Sequence, residues 1–191
     1  DLNLMQKDQS LSSLTSLILA EMHKVFIKLQ PDLVLVHGDT TTTLATSMAA
    51  FYLSIPIGHV EAGLRTYDLK APFPEEFNRQ ITGKITKWHF APTDLSQKNL
   101  LSEGFDKSSI IITGNTIIDA LYWVLKRIDK DKHRQKNLEK ILNSSLSFNW
   151  KSDKFVLITA HRRENFGNGF LQICSAIKEL ALKYPNIHFV Y

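Results

Sequence analysis

The chain has 191 residues, 43% hydrophobic and 22% charged, with a formal net charge of +4. That is apolar material for one domain, or for one domain and part of another, and the modest, dispersed positive charge excludes the basic, aromatic-interleaved stripe of a nucleic-acid binder while suiting a small anionic ligand. No apolar run approaches membrane-spanning length, the polar start is unlike a signal peptide, and the single cysteine, Cys174, reads as a small buried hydrophobe, so the expected setting is the cytoplasm, away from membranes.

Taken in chain order, strands alternate with helices. Leu11, Leu14, Ile18, Met22, Val25, Phe26 and Leu29 recur at helical spacing, and Pro31 ends that helix. The run 32–37 (DLVLVH) is short, apolar and fit for a strand buried on both faces. A helix is expected over 42–54, a strand over 56–60 and a loop over 61–74. A helix over 75–84, a strand over 88–91, a helix over 94–103, a strand over 109–113 and a helix over 116–128 follow. The stretch 129–153 is charged and then polar, with a helix near 136–142, and reads as a domain connection. A new strand over 154–159, a helix over 170–183 and a strand over 187–191 open a second domain. The expected division is therefore 1–130, 131–153 and 154–191, in an α/β fold whose parallel sheets bind ligands beyond the carboxyl ends of the strands.

Four loops after strands hold most of the reactive side chains. In HGDTTTT (37–43), Asp39 and Thr40 suit either a helix cap or reception of an anion at a helix start. In HVEAGLRT (59–66), Glu61 follows a buried strand, Gly63 permits close backbone approach and Arg65 can pair with a carboxylate or a phosphate. In FPEEFNR (73–79), Glu75, Glu76 and Arg79 suit a simple helix start as well as a site. Adjacent residues at a helix start diverge by about 100°, so Glu76 is expected to point away from a site that Glu75 faces. In AHRREN (160–165), His161, Arg162, Arg163 and Glu164 crowd one strand end. His89 is expected to pack in or beside the sheet, Gly114-Asn115-Thr116 is a helix start or a pocket wall, and His23, His133 and His188 lack partners at metal-ligand spacing, so no metal site is expected.

The segments DLVLVHGDTTTTLA, PIGHVEAGLRT, PFPEEFNRQITG, HFAPT, ITGNTIIDAL and ITAHRRENFG, in this order, resemble the non-hydrolysing UDP-N-acetylglucosamine 2-epimerase family. The resemblance covers nearly the whole chain and is weakest near 130–150. It implies two Rossmann-like domains in a glycosyltransferase-B-like arrangement, usually in a homodimer, acting on UDP-N-acetylglucosamine and UDP without a cofactor. It makes Asp39, Glu61, Glu75 and His161 catalytic, with Arg65, Arg79, Arg163 and Glu164 as substrate contacts or supports. The family's opening Gly-Thr-Arg-Pro-Glu turn and its later Ser-Gly-Gly stretch are not in this sequence, which therefore reads as an internal segment.

The chemistry implied is demanding, because the hydrogen at C2 of an N-acetylhexosamine is not next to a carbonyl. Oxidation by a nicotinamide is one route, but no G-x-G-x-x-G is present. Elimination of UDP across C1–C2 to a glycal, followed by re-addition, needs carboxylates and cations, which these loops supply. The alternatives are a hydrolysing relative releasing N-acetylmannosamine and UDP, a glycosyltransferase of two Rossmann domains, and a non-catalytic nucleotide-sugar-binding fragment.

Overall fold

A computed structural model of the chain describes residues 2–159 and 167–191. Its elements are α1 (Leu11–Leu29), β1 (Val34–His37), α2 (Thr41–Tyr52), β2 (Ile57–Val60), α3 (Glu75–Ile85), β3 (Trp88–Ala91), α4 (Asp94–Ser102), β4 (Ile110–Ile112), α5 (Thr116–Lys130), α6 (Lys132–Ser145), β5 (Phe155–Leu157), α7 (Asn168–Lys183) and β6 (His188–Val190). Local chemistry sets their ends. Ser10 caps α1 by accepting from the Ser13 N–H, and Gln30 closes it in a left-handed conformation, just before Pro31.

The contacts divide the chain into two compact units, Asp1–Thr116 and Ile117–Tyr191. The boundary falls at the first residue of α5, so the rest of that helix groups with the second unit. In the first unit, β1-β2-β3-β4 form a parallel sheet in sequence order. In the second, β5 and β6 form a parallel pair.

The register places Val36, His59, His89 and Ile110 in one row across the four strands. All four are buried. On this face Phe26 of α1 and Ala49 and Ala50 of α2 pack against Val34, Val36 and Ile57, while Leu100 of α4 packs with Ala62, Ala91 and Ile110. Full burial of a residue such as Phe26 or Ile57 stabilises the fold by about 1.5–3 kcal/mol. The opposite face differs. Leu35 and Ile111 are exposed there, and Trp88 and Phe90 only half-buried.

Two sequence expectations need correction. The connection contains a longer helix than the one expected near 136–142, because Asp131 caps α6 through the Arg134 N–H and its Lys, Arg, Gln and Glu residues are good helix formers. Cys174 is exposed on α7 rather than buried.

Candidate active site

The first unit gathers its acidic loops at the carboxyl ends of β1 and β2. Gly38 leaves β1 in a left-handed turn (φ 73°), donating its N–H to the Val60 carbonyl at 3.0 Å. Its own carbonyl lies 2.7 Å from His59 Nε2. A carbonyl can only accept, so Nε2 carries the proton. Burial depresses the His59 pKa to about 4, so the imidazole is neutral at pH 7 and the tautomer is fixed. The turn delivers Asp39 beyond the strand. Thr40 then caps α2, accepting from the Thr43 N–H, and Thr43 donates its hydroxyl to the His37 carbonyl at 2.7 Å. Helix capping therefore occupies this pair of threonines.

Glu61 is the first residue after β2 and also adopts a left-handed backbone (φ 70°). For a non-glycine residue such a conformation costs on the order of 1–3 kcal/mol and persists only where its surroundings hold it. Its carboxylate reaches back over Gly38: a β-carbon added to that glycine would lie 3.3 Å from Glu61 Oε2. Asp39 and Glu61 thus stand on adjacent turns of one sheet edge.

Helix α3 closes the other side. Asn78 donates to the Asp39 carbonyl at 2.8 Å, and Arg79 donates to Asp39 Oδ2 at 3.1 Å. Glu75 begins α3, one turn before Arg79, half-buried and with no hydrogen-bond partner among the described residues.

Glu76 is the residue whose placement departs most from expectation. It diverges from Glu75, but inward: it is 0% exposed. Oε2 accepts from the Thr66 N–H at 3.0 Å and from two guanidinium nitrogens of Arg79, Nε at 2.6 Å and one terminal nitrogen. Oε1 accepts from the Tyr67 N–H at 3.0 Å and from Gln80 at 2.7 Å. Burial alone would raise its pKa. Donation from Gln80, the Thr66 N–H, Arg79 and the Tyr67 N–H outweighs that and holds it at about 2.

Arg65 is taken up elsewhere. Its side chain is 1% exposed, paired in a fork with Glu103 at 2.6 and 3.0 Å and donating to the Leu64 carbonyl at 2.8 Å. It braces the loop against the end of α4. Gly63 serves the same packing, since a β-carbon there would meet the Ser96 carbonyl oxygen at 2.3 Å. His161, Arg163 and Glu164 lie outside the described residues. Among the described residues, no set of His, Cys, Asp and Glu side chains converges as metal ligands, and no helix is long and apolar enough to cross a membrane.

Sequence reasoning passed over His59, Asn78 and the inward role of Glu76. The signal for Glu76 was present, since Arg79 at i+3 and Gln80 at i+4 share its helix face.

A parallel α/β sheet with acids beyond the carboxyl ends of adjacent strands defines the class of α/β proteins that bind small ligands at that edge. The family described as UDP-N-acetylglucosamine 2-epimerase matches residues 1–191, and the chain belongs to it. A UDP-N-acetylglucosamine 2-epimerase of Escherichia coli K12 is 50% identical over 192 aligned residues, covering all of this chain and 50% of that protein. The crystal structure of the Neisseria meningitidis UDP-GlcNAc 2-epimerase bound to UDP-GlcNAc is 47% identical, with a TM-score of 0.73, and the match covers 99% of this chain and 49% of that one. The Methanocaldococcus jannaschii UDP-GlcNAc 2-epimerase in complex with UDP-GlcNAc and UDP is 38% identical, with a TM-score of 0.84 over 98% of this chain and 49% of that one. The chain spans about half the length of the curated relatives it matches.

Proposed function

We propose that the protein containing this chain interconverts UDP-N-acetylglucosamine and UDP-N-acetylmannosamine, by anti elimination of UDP to a glycal and re-addition. The observation that carries this reading is the pair Asp39 and Glu61 on adjacent strand ends, with Asp39 held by Arg79 of α3, the helix that Glu75 begins. A carboxylate takes the C2 proton, the C–H electron pair becomes the C1=C2 bond, and the C1–O bond breaks with its pair leaving on UDP. Return of UDP to C1, with a proton delivered to the other face of C2, completes the inversion. Glu75, poised without a partner, serves as a second proton carrier. By resemblance to the family, His161 is assigned to the nucleotide and the reacting sugar, and Arg163 and Glu164 to substrate contact or support. Arg65 acts as a support.

The test uses the full-length protein in deuterium oxide. UDP-N-acetylmannosamine labelled at C2 is expected, and Asp39→Asn or Glu61→Gln should slow turnover about 10²–10⁴-fold while UDP still binds. Product without deuterium at C2 would overturn elimination, and free sugar with UDP would identify a hydrolysing enzyme.

A further inference from the structure

We propose that Glu76 is a positioning residue for this reaction, fixing the Asp39 carboxylate through the Arg79 guanidinium that bridges the two. The inference rests on the assignment of Asp39 above and adds a residue that touches no substrate.

The geometry makes the relay specific. A guanidinium is planar, and its N–H groups point in fixed directions. Glu76 holds Arg79 by Nε and one terminal nitrogen, which sets the plane of the group. The remaining terminal nitrogen is thereby aimed at Asp39 Oδ2. Oδ1 of Asp39 has no partner among the described residues, so it is the oxygen left for proton transfer.

Glu76 cannot readily swing away. Two backbone N–H groups of the 61–74 loop and the Gln80 amide hold it from other directions, and both carboxylates sit on Arg79 in a largely dry site. Burying such a carboxylate without partners would cost several kcal/mol. With them, it is a fixed reference point.

Charge follows the same path. Glu76 stays ionised, so the positive charge of Arg79 is shared between two carboxylates. With Glu76 neutralised, the guanidinium loses the charged partner that fixes its plane, and its hold on Asp39 Oδ2 loosens. Misorientation of Asp39 slows proton transfer without weakening the hold on the nucleotide.

In the full-length protein, Glu76→Gln should lower kcat about 10- to 100-fold. KM should change by less than about twofold. Arg79→Lys keeps the charge but loses the fork, and should give a comparable kcat loss. The double variant should be no slower than Arg79→Lys alone, because Glu76 acts through Arg79. Multiplying losses in the double variant, or a normal kcat in Glu76→Gln, would overturn the proposal. If Glu76→Gln fails to fold, Arg79→Lys decides alone: a kcat loss at unchanged KM supports the relay, and normal kcat overturns it. Asp39→Asn measured alongside keeps the two readings apart. Full activity there removes Asp39 from the chemistry, whereas an inactive Asp39→Asn beside a normal Glu76→Gln removes only the relay.

Discussion

Two buried imidazoles sit side by side on β2 and β3, and their titration should govern the acid stability of the first unit. His59 and His89 are each 1% exposed, and the Nδ1 atom of each has no hydrogen-bond partner among the described residues. Burial lowers both pKa values to about 4 from 6.5. As pH falls, the unfolded chain therefore takes up these protons first. The contribution is complete above pH 6.5 and is lost on descending through 4, with up to about 3 kcal/mol at stake for each imidazole. Glu76 adds a further loss at lower pH, between its ordinary 4.5 and about 2. Denaturant unfolding at a series of pH values should show stability falling between pH 6.5 and 4, and a flat profile across that window would contradict burial of the pair. The sequence reveals such residues unevenly. His89 lies between Trp88 and Phe90, so its packing could be read directly. His59 was hidden because its partner is a backbone carbonyl 21 residues away, which no local pattern records. Glu76 is legible in part: Arg79 and Gln80 share its helix face, but the Thr66 and Tyr67 N–H groups that turn it inward come from a loop no local pattern records.

The elements were more legible than the contacts between them. Short apolar runs ending in Gly or in acid-bearing turns located β1 to β4, and helical spacing located α1 to α5, with shifts of a residue or two at the ends. The α6 helix was under-read because charge density suggested a tether, although the same residues favour helix. Gly63 shows what spacing alone could not supply. Its role is to let the loop after β2 lie against α4, where Asn99 also donates to its carbonyl at 2.9 Å. Gly63→Ala would place a methyl group 2.3 Å from the Ser96 carbonyl oxygen, at a residue whose φ of 86° already disfavours a side chain. The loop or α4 must shift, at a cost of about 1–3 kcal/mol. Chemical denaturation should detect this loss, and stability equal to that of the parent would mean that the loop approaches α4 less closely than described.

At the scale of the molecule, the face of the first sheet opposite its helices has a colloidal consequence. Leu35 is 61% and Ile111 47% exposed, with Trp88 and Phe90 only half-covered between them. β1 and β4 are also the outermost strands of this sheet. Among the described residues no further strand pairs with β1 or β4, and an apolar plate with such edges promotes adhesion between molecules. The 191-residue chain prepared alone should therefore enhance the fluorescence of a hydrophobic dye and scatter light increasingly with concentration. Leu35→Thr with Ile111→Thr should reduce both signals without disturbing the buried row Val36, His59, His89 and Ile110, which faces the other way. A monodisperse, dye-silent parent chain would mean that this plate is covered in solution. Handled by itself, the chain should wet poorly and adhere to its own kind.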